Sequence, residues 1–291
     1  MVKTELFSQL TTKLETYSFK DKGIIYQVEL VGGICNLKCK LCPVTKGEAK
    51  RKENYFKVDF LEKMYRRGDF DNTFYTELQM YGEPLLHPKF DEAVRLLKSF
   101  GLKVGVSTNG TVWREGLKKV DFITLSSDSI LYRKGRDEEI FSKVFEKILK
   151  ETEAKIDIQV VEVEDWKKQI KKLEEKVSNY KEKVLIRTVP DCFVEEEKTQ
   201  YQDFCMNPHL SVSIHSDGDV VPCCFEWGKQ LVIGNIYKSS LEEIWNGKRR
   251  KFLIKNWIEG NLPKKCKFCK FRSPILLHYR FWINWGRKSW L

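Results

Sequence analysis

The sequence Cys35-Asn36-Leu37-Lys38-Cys39-Lys40-Leu41-Cys42 places three cysteines within eight residues, separated by three and then two residues. Cysteine thiolates at such short intervals on one loop are the ligands that an iron–sulfur cluster requires. Three thiolates can bind three irons of a cubane and leave the fourth iron open, and an open metal position is typical of a catalytic site. This stretch alone leaves two alternatives, a zinc loop completed by a ligand elsewhere and three unrelated core thiols.

Six strand-like runs alternate with helical patterns in the sequence around this loop. The first run, residues 24–31, ends where the cysteines begin, and the others are 73–80, 103–107, 122–126, 156–163 and 184–189. Apolar residues recur at helical spacing between the runs, and Gly101 is well placed to cap the helix that precedes it. Strands alternating with helices predict a parallel sheet with helices outside it, whose ligands bind at the carboxyl ends of the strands. Helices are predicted near residues 58–65, 90–97, 113–117, 141–148 and 166–177.

The pattern changes after Pro190, so we place a domain boundary near Asp191. Residues 1–23 predict a short amphipathic helical extension, residues 24–190 an α/β core, and residues 191–291 a small α+β domain. Within the small domain, alternating apolar residues around the turn 216–219 predict a hairpin, and a basic helix is expected to start near Leu241. The aromatic tail after His278 is expected to pack on the protein rather than to stack on nucleic acid.

Composition narrows the class of protein. The chain has 291 residues, enough for one large and one small domain, and no apolar run approaches the roughly 20 residues of a membrane span. Nine cysteines in odd clusters indicate metal binding in a reducing cytoplasm rather than a secreted disulfide scaffold. The formal net charge of +11 suits an anionic partner, but much of it lies on mixed-charge helices such as 167–183, which solvated helix faces explain better.

A second set of cysteines occurs in the C-terminal region. Cys205, Cys223, Cys266 and Cys269 supply four thiolates, enough to close a second cubane, and a four-cysteine zinc site is the alternative. Cys192 and Cys224 are left over as thiols. Cys224 can replace Cys223 as a ligand, because the two are adjacent.

The cysteine loop, the six strand–helix units and the segments described next resemble the radical S-adenosylmethionine (SAM) enzymes over roughly residues 24–190. The resemblance implies a partial (βα)6 TIM-like barrel in which Cys35, Cys39 and Cys42 bind a [4Fe–4S] cluster. It also implies that the open iron is chelated by the amino and carboxylate groups of SAM. The reduced cluster of the family cleaves SAM to methionine and a 5′-deoxyadenosyl radical, which removes a hydrogen atom from the substrate.

Three further segments match this family in order, each at the end of a predicted strand. Residues 81–84 read Tyr-Gly-Glu-Pro and resemble the family's Gly-Gly-Glu-Pro, whose backbone and acid receive the methionine amino group, although Tyr81 replaces the first glycine. Residues 107–110 match the family's Ser-Thr-Asn-Gly, and residues 126–128 are similar to its Ser-Leu-Asp. The resemblance implies that SAM is bound by Glu83, Ser107, Asn109, Ser126 and Arg136, with the Arg136 guanidinium on the methionine carboxylate.

The C-terminal region resembles the SPASM domain, in its shortened twitch form, which carries one auxiliary [4Fe–4S] cluster. One three-cysteine loop and one four-cysteine set are similar to the pattern of the radical dehydrogenases of aminoglycoside biosynthesis, which implies a net oxidation with two clusters and SAM as cofactors. A peptide-modifying maturase and a non-catalytic iron–sulfur electron carrier are the alternatives.

The resemblance also implies the partners. We expect a small-molecule or peptide substrate, an electron donor such as flavodoxin or ferredoxin, a cytoplasmic location, and neither a membrane nor a nucleic acid as partner. The identity of the substrate does not follow from the sequence. Gln159, Glu162 and Arg187 are candidates to face the cavity because of their strand positions.

Overall fold

The computed structural model describes residues 25–40, 42–49, 53–73, 75–127, 135–162, 165–189, 205, 207–267 and 269. The predicted N-terminal helix, Cys192 and the aromatic tail after His278 lie outside these residues.

The six strands predicted for the core are present and form a parallel sheet. They are β1 (Ile25–Val28), β4 (Tyr75–Leu78), β5 (Lys103–Thr108), β6 (Phe122–Ser126), β7 (Lys155–Val161) and β8 (Val184–Val189). Neighbouring strands pair in the order β1-β4-β5-β6-β7-β8, and all five pairings are parallel. Two short strands, β2 (Val31–Gly32) and β3 (Asn54–Tyr55), pair separately as an antiparallel ribbon beside the cysteine loop.

Helices connect these strands, as the periodicity predicts. In chain order they are α1 (Phe60–Arg66), α2 (Phe90–Ser99), α3 (Glu138–Glu151) and α4 (Trp166–Lys176). Their apolar faces are buried against the sheet, and burial of each large apolar side chain contributes about 1.5–3 kcal/mol. The helix predicted near 113–117 is a 3-10 turn at Glu115–Lys119. Gly101 ends α2 with a φ of +80°, and its amide bonds to the Lys98 carbonyl at 3.0 Å, which confirms the predicted cap.

The C-terminal region extends the same sheet rather than forming a separate one. The predicted hairpin is β9 (Ser211–Ile214) and β10 (Asp219–Val221), and a short β11 (Gly234–Asn235) pairs with β10. Strand β9 lies parallel to β1 on the side opposite β4, so the sheet of the described residues has nine strands in all. The Ser213 hydroxyl donates a hydrogen bond of 2.9 Å to the Gln27 side-chain oxygen across this junction.

Four helices complete this region. They are α5 (Asn207–Leu210), α6 (Leu241–Trp245), α7 (Lys248–Ile258) and α8 (Lys264–Lys267). The basic helix expected to start at Leu241 is therefore interrupted. A capping box at Ser240 and Glu243 starts α6, and Gly247 separates α6 from α7. Among the residues that the structure describes, no helix has the length and apolarity needed to cross a membrane.

Candidate active site

A cavity of about 260 Å³ lies at the carboxyl ends of the parallel strands. Segments that follow β1, β4 and β5 and the last residues of β6 and β7 contribute to its wall. Cys35, Cys39 and Cys42 line it, and we call them the first cysteine group. A cavity at this end of the sheet agrees with the general position of ligand sites in parallel α/β proteins.

The cysteine loop is held by hydrogen bonds to its sulfur and backbone atoms. The Leu37 amide donates to Cys35 Sγ at 3.4 Å, and the Asn109 side-chain amide donates to the same sulfur at 3.6 Å. Burial raises the pKa of the Cys35 thiol to about 11, and the nearby Glu83 carboxylate and Cys39 add to this effect. Metal coordination deprotonates a thiol outright, so the thiolate form is expected only with a metal bound.

The Tyr-Gly-Glu-Pro turn packs directly against this loop. The Gly33 amide donates to the Tyr81 carbonyl at 2.6 Å, and the Glu83 amide donates to the Ile34 carbonyl at 2.9 Å. A Cβ atom at Gly82 would lie 2.1 Å from the Val31 carbonyl oxygen, so this position requires glycine. The second glycine of the family's segment is thus explained by close backbone packing.

Glu83 is buried at the centre of the site, with 2% of its surface exposed. Its carboxylate accepts hydrogen bonds from the Thr108 hydroxyl at 2.8 Å, the Asn109 amide at 2.8 Å and the Leu85 amide at 3.1 Å. Hydrogen bonds of this kind favour the ionised form of a carboxylate. A buried anion oriented by three donors can receive an ammonium group on its remaining lone pairs.

The other residues implied by the resemblance are divided between the cavity and its surroundings. Ser107, Asn109 and Ser126 line the cavity, but the Ser107 hydroxyl donates to Glu77 Oε1 at 2.8 Å and is engaged away from a ligand. Arg136 is not among the lining residues. Its Nε donates to Glu138 at 2.6 Å, and its guanidinium lies 4.4 Å from the centre of the Phe141 ring.

The residues proposed to face the substrate also lie outside the cavity wall. Gln159 and Arg187 both bond to the buried Asp157, the latter with two nitrogens at 2.6–2.8 Å. Glu162 follows β7, and its amide bonds to the Val189 carbonyl. The sequence correctly placed Gln159 and Arg187 on neighbouring strands, but Glu162 lies just beyond β7, and none of the three residues lines the cavity as expected.

Four cysteines come together in the C-terminal region. Burial raises the pKa of the Cys266 thiol, and the neighbouring Cys223, Cys269 and Cys205 raise it further. These four residues form the second cysteine group. Cys224 instead hydrogen-bonds to Cys223, which is the largest cause of the raised Cys223 pKa. Cys223 contributes to the raised pKa of the Cys266 thiol, and the choice of Cys223 rather than Cys224 as a ligand stays a prediction.

The donor chemistry of the two cysteine groups is compatible with iron–sulfur clusters. Among the described residues, no three His, Cys, Asp or Glu side chains converge closely enough to hold one metal ion. A tetrahedral zinc site needs its sulfurs about 2.3 Å from one centre, whereas a cubane distributes its cysteines over separate irons. Both cysteine groups are soft thiol donors, the ligands expected for iron–sulfur clusters.

Two residues that the sequence analysis did not single out, Glu29 and Trp227, connect the Tyr81 turn to the C-terminal region. Glu29 is fully buried, and its carboxylate accepts from the Tyr81 amide at 3.1 Å and from the Ser216 amide at 3.1 Å. The Tyr81 ring contacts the Trp227 ring with centroids 5.8 Å apart. An acid inside the apolar run 24–31 was the available sequence signal for Glu29, whereas Trp227 carried none.

Comparisons with known proteins agree with this arrangement. A model of the radical SAM superfamily matches residues 30–157, and a model of an iron–sulfur cluster-binding domain, SPASM, matches residues 205–270. The tungsten-containing aldehyde ferredoxin oxidoreductase cofactor-modifying protein of Pyrococcus furiosus is 32% identical over 105 residues, which cover 32% of this chain. The aligned stretch spans 28% of that relative's length.

Solved structures share the fold at low sequence identity. BtrN in complex with AdoMet and 2-DOIA has a TM-score of 0.60 at 18% identity, and covers 86% of this chain and 94% of its own. The protein anSMEcpe with bound AdoMet has a TM-score of 0.63 at 19% identity, with 86% and 84% covered. SuiB of Streptococcus suis, bound to its precursor peptide SuiA, has a TM-score of 0.61 at 15% identity, with 90% and 72% covered.

The two family models cover separate parts of the chain, one containing the first cysteine group and the other containing the second. Radical SAM domains bind a [4Fe–4S] cluster and SAM, and SPASM domains bind additional iron–sulfur clusters. The predicted partial barrel and both kinds of cofactor are thereby confirmed. The chain belongs to the radical SAM superfamily and carries a C-terminal SPASM domain.

Proposed function

We propose that this radical SAM enzyme catalyses a net oxidation of its substrate. In this proposal, Cys35, Cys39 and Cys42 hold the [4Fe–4S] cluster that binds SAM, and the second cysteine group holds one auxiliary [4Fe–4S] cluster. When bound, the reduced first cluster supplies the electron that splits SAM into methionine and a 5′-deoxyadenosyl radical, which takes a hydrogen atom from the substrate.

The observation that carries the proposal is the difference between the two cysteine groups. Three cysteines line the cavity beside the buried Glu83 carboxylate, whereas three further thiols gather around Cys266 to make a group of four. Three ligands leave an open position for SAM, and four ligands close the site. A closed group is suited to accept an electron, so the substrate can lose one hydrogen atom, one further electron and one proton, which together make a two-electron oxidation.

The protein's own residues bind and orient SAM in this account. Glu83 holds the methionine ammonium, because it is a fixed anion next to the first cysteine group. Asn109 fixes the position of the cysteine loop through its contacts with Cys35 Sγ at 3.6 Å and Asn36 Oδ1 at 3.0 Å. Ser126 is placed in the cavity wall to contact the ribose or carboxylate.

Ser107 and Arg136 have weaker support as SAM ligands. The Ser107 hydroxyl donates a hydrogen bond to Glu77, and the Arg136 Nε donates one to Glu138. The Ser107 hydroxyl would have to leave Glu77 to donate to SAM, and the Arg136 guanidinium lies against Phe141 and outside the cavity wall. We retain them as proposed ligands and expect their replacement to affect SAM affinity less than replacement of Glu83.

A peptide-modifying maturase is the second candidate. The structure of SuiB with its precursor peptide has the same fold, but a likeness at 15% identity supports the fold alone. An electron carrier is less well supported, because the buried and triply hydrogen-bonded Glu83 would then have no ligand to bind. An electron donor such as flavodoxin or ferredoxin and a cytoplasmic location remain part of the proposal.

Anaerobic turnover with deuterated candidate substrates tests the proposal. We expect deuterium in the 5′-deoxyadenosine that forms and a product two hydrogens lighter than the substrate. A peptide product with a new cross-link would favour the maturase. Absence of SAM binding by the reconstituted protein would contradict both enzyme candidates.

A further inference from the structure

Tyr81 occupies the position at which the related segment has glycine, and its side chain has a defined contact. Its backbone is fixed on both sides, by the Glu29 carboxylate on its amide and the Gly33 amide on its carbonyl. Its ring lies edge-on to the Trp227 ring, with centroids 5.8 Å apart and planes at 69°. Tyr81 also lines the cavity with the first cysteine group, so the position of its ring helps to shape that cavity.

Trp227 also contacts the segment that carries the second cysteine group. The Lys265 ammonium lies 4.2 Å from the centre of the Trp227 ring and 3.4 Å from Glu226 Oε1. Lys265 precedes Cys266 directly in the sequence, and the Glu226 amide bonds to the Cys223 carbonyl at 3.0 Å. Trp227 therefore contacts both a cation adjacent to Cys266 and Tyr81, an aromatic residue in the cavity wall.

Glu226, which precedes Trp227 in the sequence, holds Lys265 in this position. Glu226 is 2% exposed, and its Oε1 also accepts from the Gly228 amide at 2.7 Å and the Gln230 amide at 3.2 Å. Its second oxygen is buried and has no hydrogen-bond donor among the described residues. Because burying a carboxylate with an unpaired oxygen is costly, Glu226 depends on the Lys265 ammonium as its counter-ion. This ion pair keeps the Lys265 ammonium near Trp227.

We propose that Trp227 is a positioning residue, through which the second cysteine group fixes the Tyr81 turn and thereby the affinity of the cavity for SAM. The proposal rests on the proposed SAM site. When the second cluster is bound, Cys266 holds Lys265, and Lys265 and Glu226 hold the Trp227 ring against Tyr81. Loss of any of these contacts lets the turn relax away from its ligand-binding position. By thermodynamic linkage, SAM then stabilises the second cysteine group to the same extent.

The test measures the dissociation constant of SAM for the anaerobically reconstituted protein. We expect Trp227→Ala to weaken SAM binding about two- to tenfold, the range that one aromatic pair contact supplies. Trp227→Phe retains an aromatic edge and should bind SAM with nearly wild-type affinity. Lys265→Met should weaken binding in the same direction, whereas Lys264→Met, at an exposed neighbouring position, should leave the affinity unchanged.

A double-mutant cycle separates positioning from simple packing. If Lys265 acts through Trp227, then adding Lys265→Met to Trp227→Ala should cause no further loss of affinity. Adding the changes Cys266→Ala and Cys269→Ala to Trp227→Ala should likewise cause no further loss of affinity. Circular dichroism checks whether the variant with these cysteine changes folds. If that variant does not fold, the cycle of Lys265→Met and Trp227→Ala tests the proposal without it.

Two results would overturn the proposal. A contact that only packs the chain would lower the unfolding temperature of Trp227→Ala but leave the SAM affinity of the folded protein unchanged. Fully additive effects of Lys265→Met and Trp227→Ala would show that the two residues act separately. Both differ from a failure of the proposed function, in which the wild-type protein itself would not bind SAM.

Discussion

The Thr108 hydroxyl donates a hydrogen bond of 2.8 Å to Glu83 Oε1, and this bond connects the turn after β4 to the end of β5. The adjacent Asn109 amide donates to the second carboxylate oxygen at 2.8 Å. Both oxygens of Glu83 are therefore fixed by the neighbouring strand end before any ligand binds. A charged group held in this way loses little conformational freedom on binding, which is the basis of a preorganised site.

We predict that Glu83→Gln weakens SAM binding about 10- to 100-fold, because it removes a charge-assisted hydrogen bond to the methionine ammonium. The iron content should stay at the wild-type level, since Glu83 is not proposed as a metal ligand. Calorimetric titration with SAM measures the change. Glu62→Gln, an exposed acid on α1, serves as the matched control. Wild-type affinity in Glu83→Gln would remove this residue from the site.

The metal content provides a second prediction. The reconstituted protein should bind about eight irons and eight sulfides per chain, as two cubanes. Replacing Cys35, Cys39 and Cys42 by alanine should leave about four irons, because the second cysteine group is separate. Iron and zinc are both determined by mass spectrometry. Zinc in place of iron at either group would be incompatible with the account.

Replacing Cys266 and Cys269 by alanine tests the role of the auxiliary cluster. We expect the first cluster to remain and SAM cleavage to continue without coupling to product, because the barrel supplies that chemistry. Formation of the oxidised product should stop, since the substrate would have lost its electron acceptor. SAM is added at saturating concentration, so that a change in affinity does not limit the rate.

Because metal binding contributes folding free energy, the fold of this double variant is checked by circular dichroism. The matched control is Cys224→Ala, which removes the thiol bonded to Cys223 but not a proposed ligand. A folded double variant that still makes product at the wild-type rate would rule out the electron-acceptor role.

A pH-dependent contribution to stability is expected from His209. This side chain is 1% exposed, and burial together with the nearby Arg250 lowers its pKa to about 4. The unfolded chain has an ordinary histidine with a pKa near 6.5, so between these values the unfolded state binds more protons. Stability is therefore complete above about pH 6.5 and falls as the pH decreases toward 4.

The expected loss from His209 between pH 6.5 and 5.5 is about 1 kcal/mol in the free energy of unfolding. Denaturant titrations at the two pH values measure it. His209→Gln cannot titrate in this range, so its unfolding free energy should change with pH by about 1 kcal/mol less than that of the wild type. Equal pH dependence in both proteins would show that His209 has the same pKa in the folded protein as in the unfolded chain.

The sequence predicted the elements of the core and their parallel pairing well, but not the contacts between the core and the C-terminal region. The strand ending at Ser126 was predicted with the bounds that the structure has, because buried apolar runs and helical periodicity are local signals. Strand β9 was predicted within a separate small domain, yet it pairs with β1. Pairing between strands distant in sequence depends on tertiary packing, which no local pattern reports.

In the candidate site too, residues in short sequence motifs were identified correctly, and residues whose contacts depend on tertiary packing were not. Glu83, Asn109 and the first cysteine group were identified from short segments, and the structure brings them together around one cavity. Arg136 was identified by its position in the sequence alone, and its guanidinium lies on Phe141 instead of in the cavity. Trp227 was missed because its contact with Tyr81 exists only after the two regions have packed together.

Reductive cleavage of SAM by the wild-type protein and by the variant with Cys35, Cys39 and Cys42 changed to alanine is the most direct test of the central claim. After anaerobic reconstitution and chemical reduction, the wild type should convert SAM to methionine and 5′-deoxyadenosine, and the triple variant should form neither. Cleavage that survives the triple change would contradict the account, because the chemistry would then not depend on the first cysteine group.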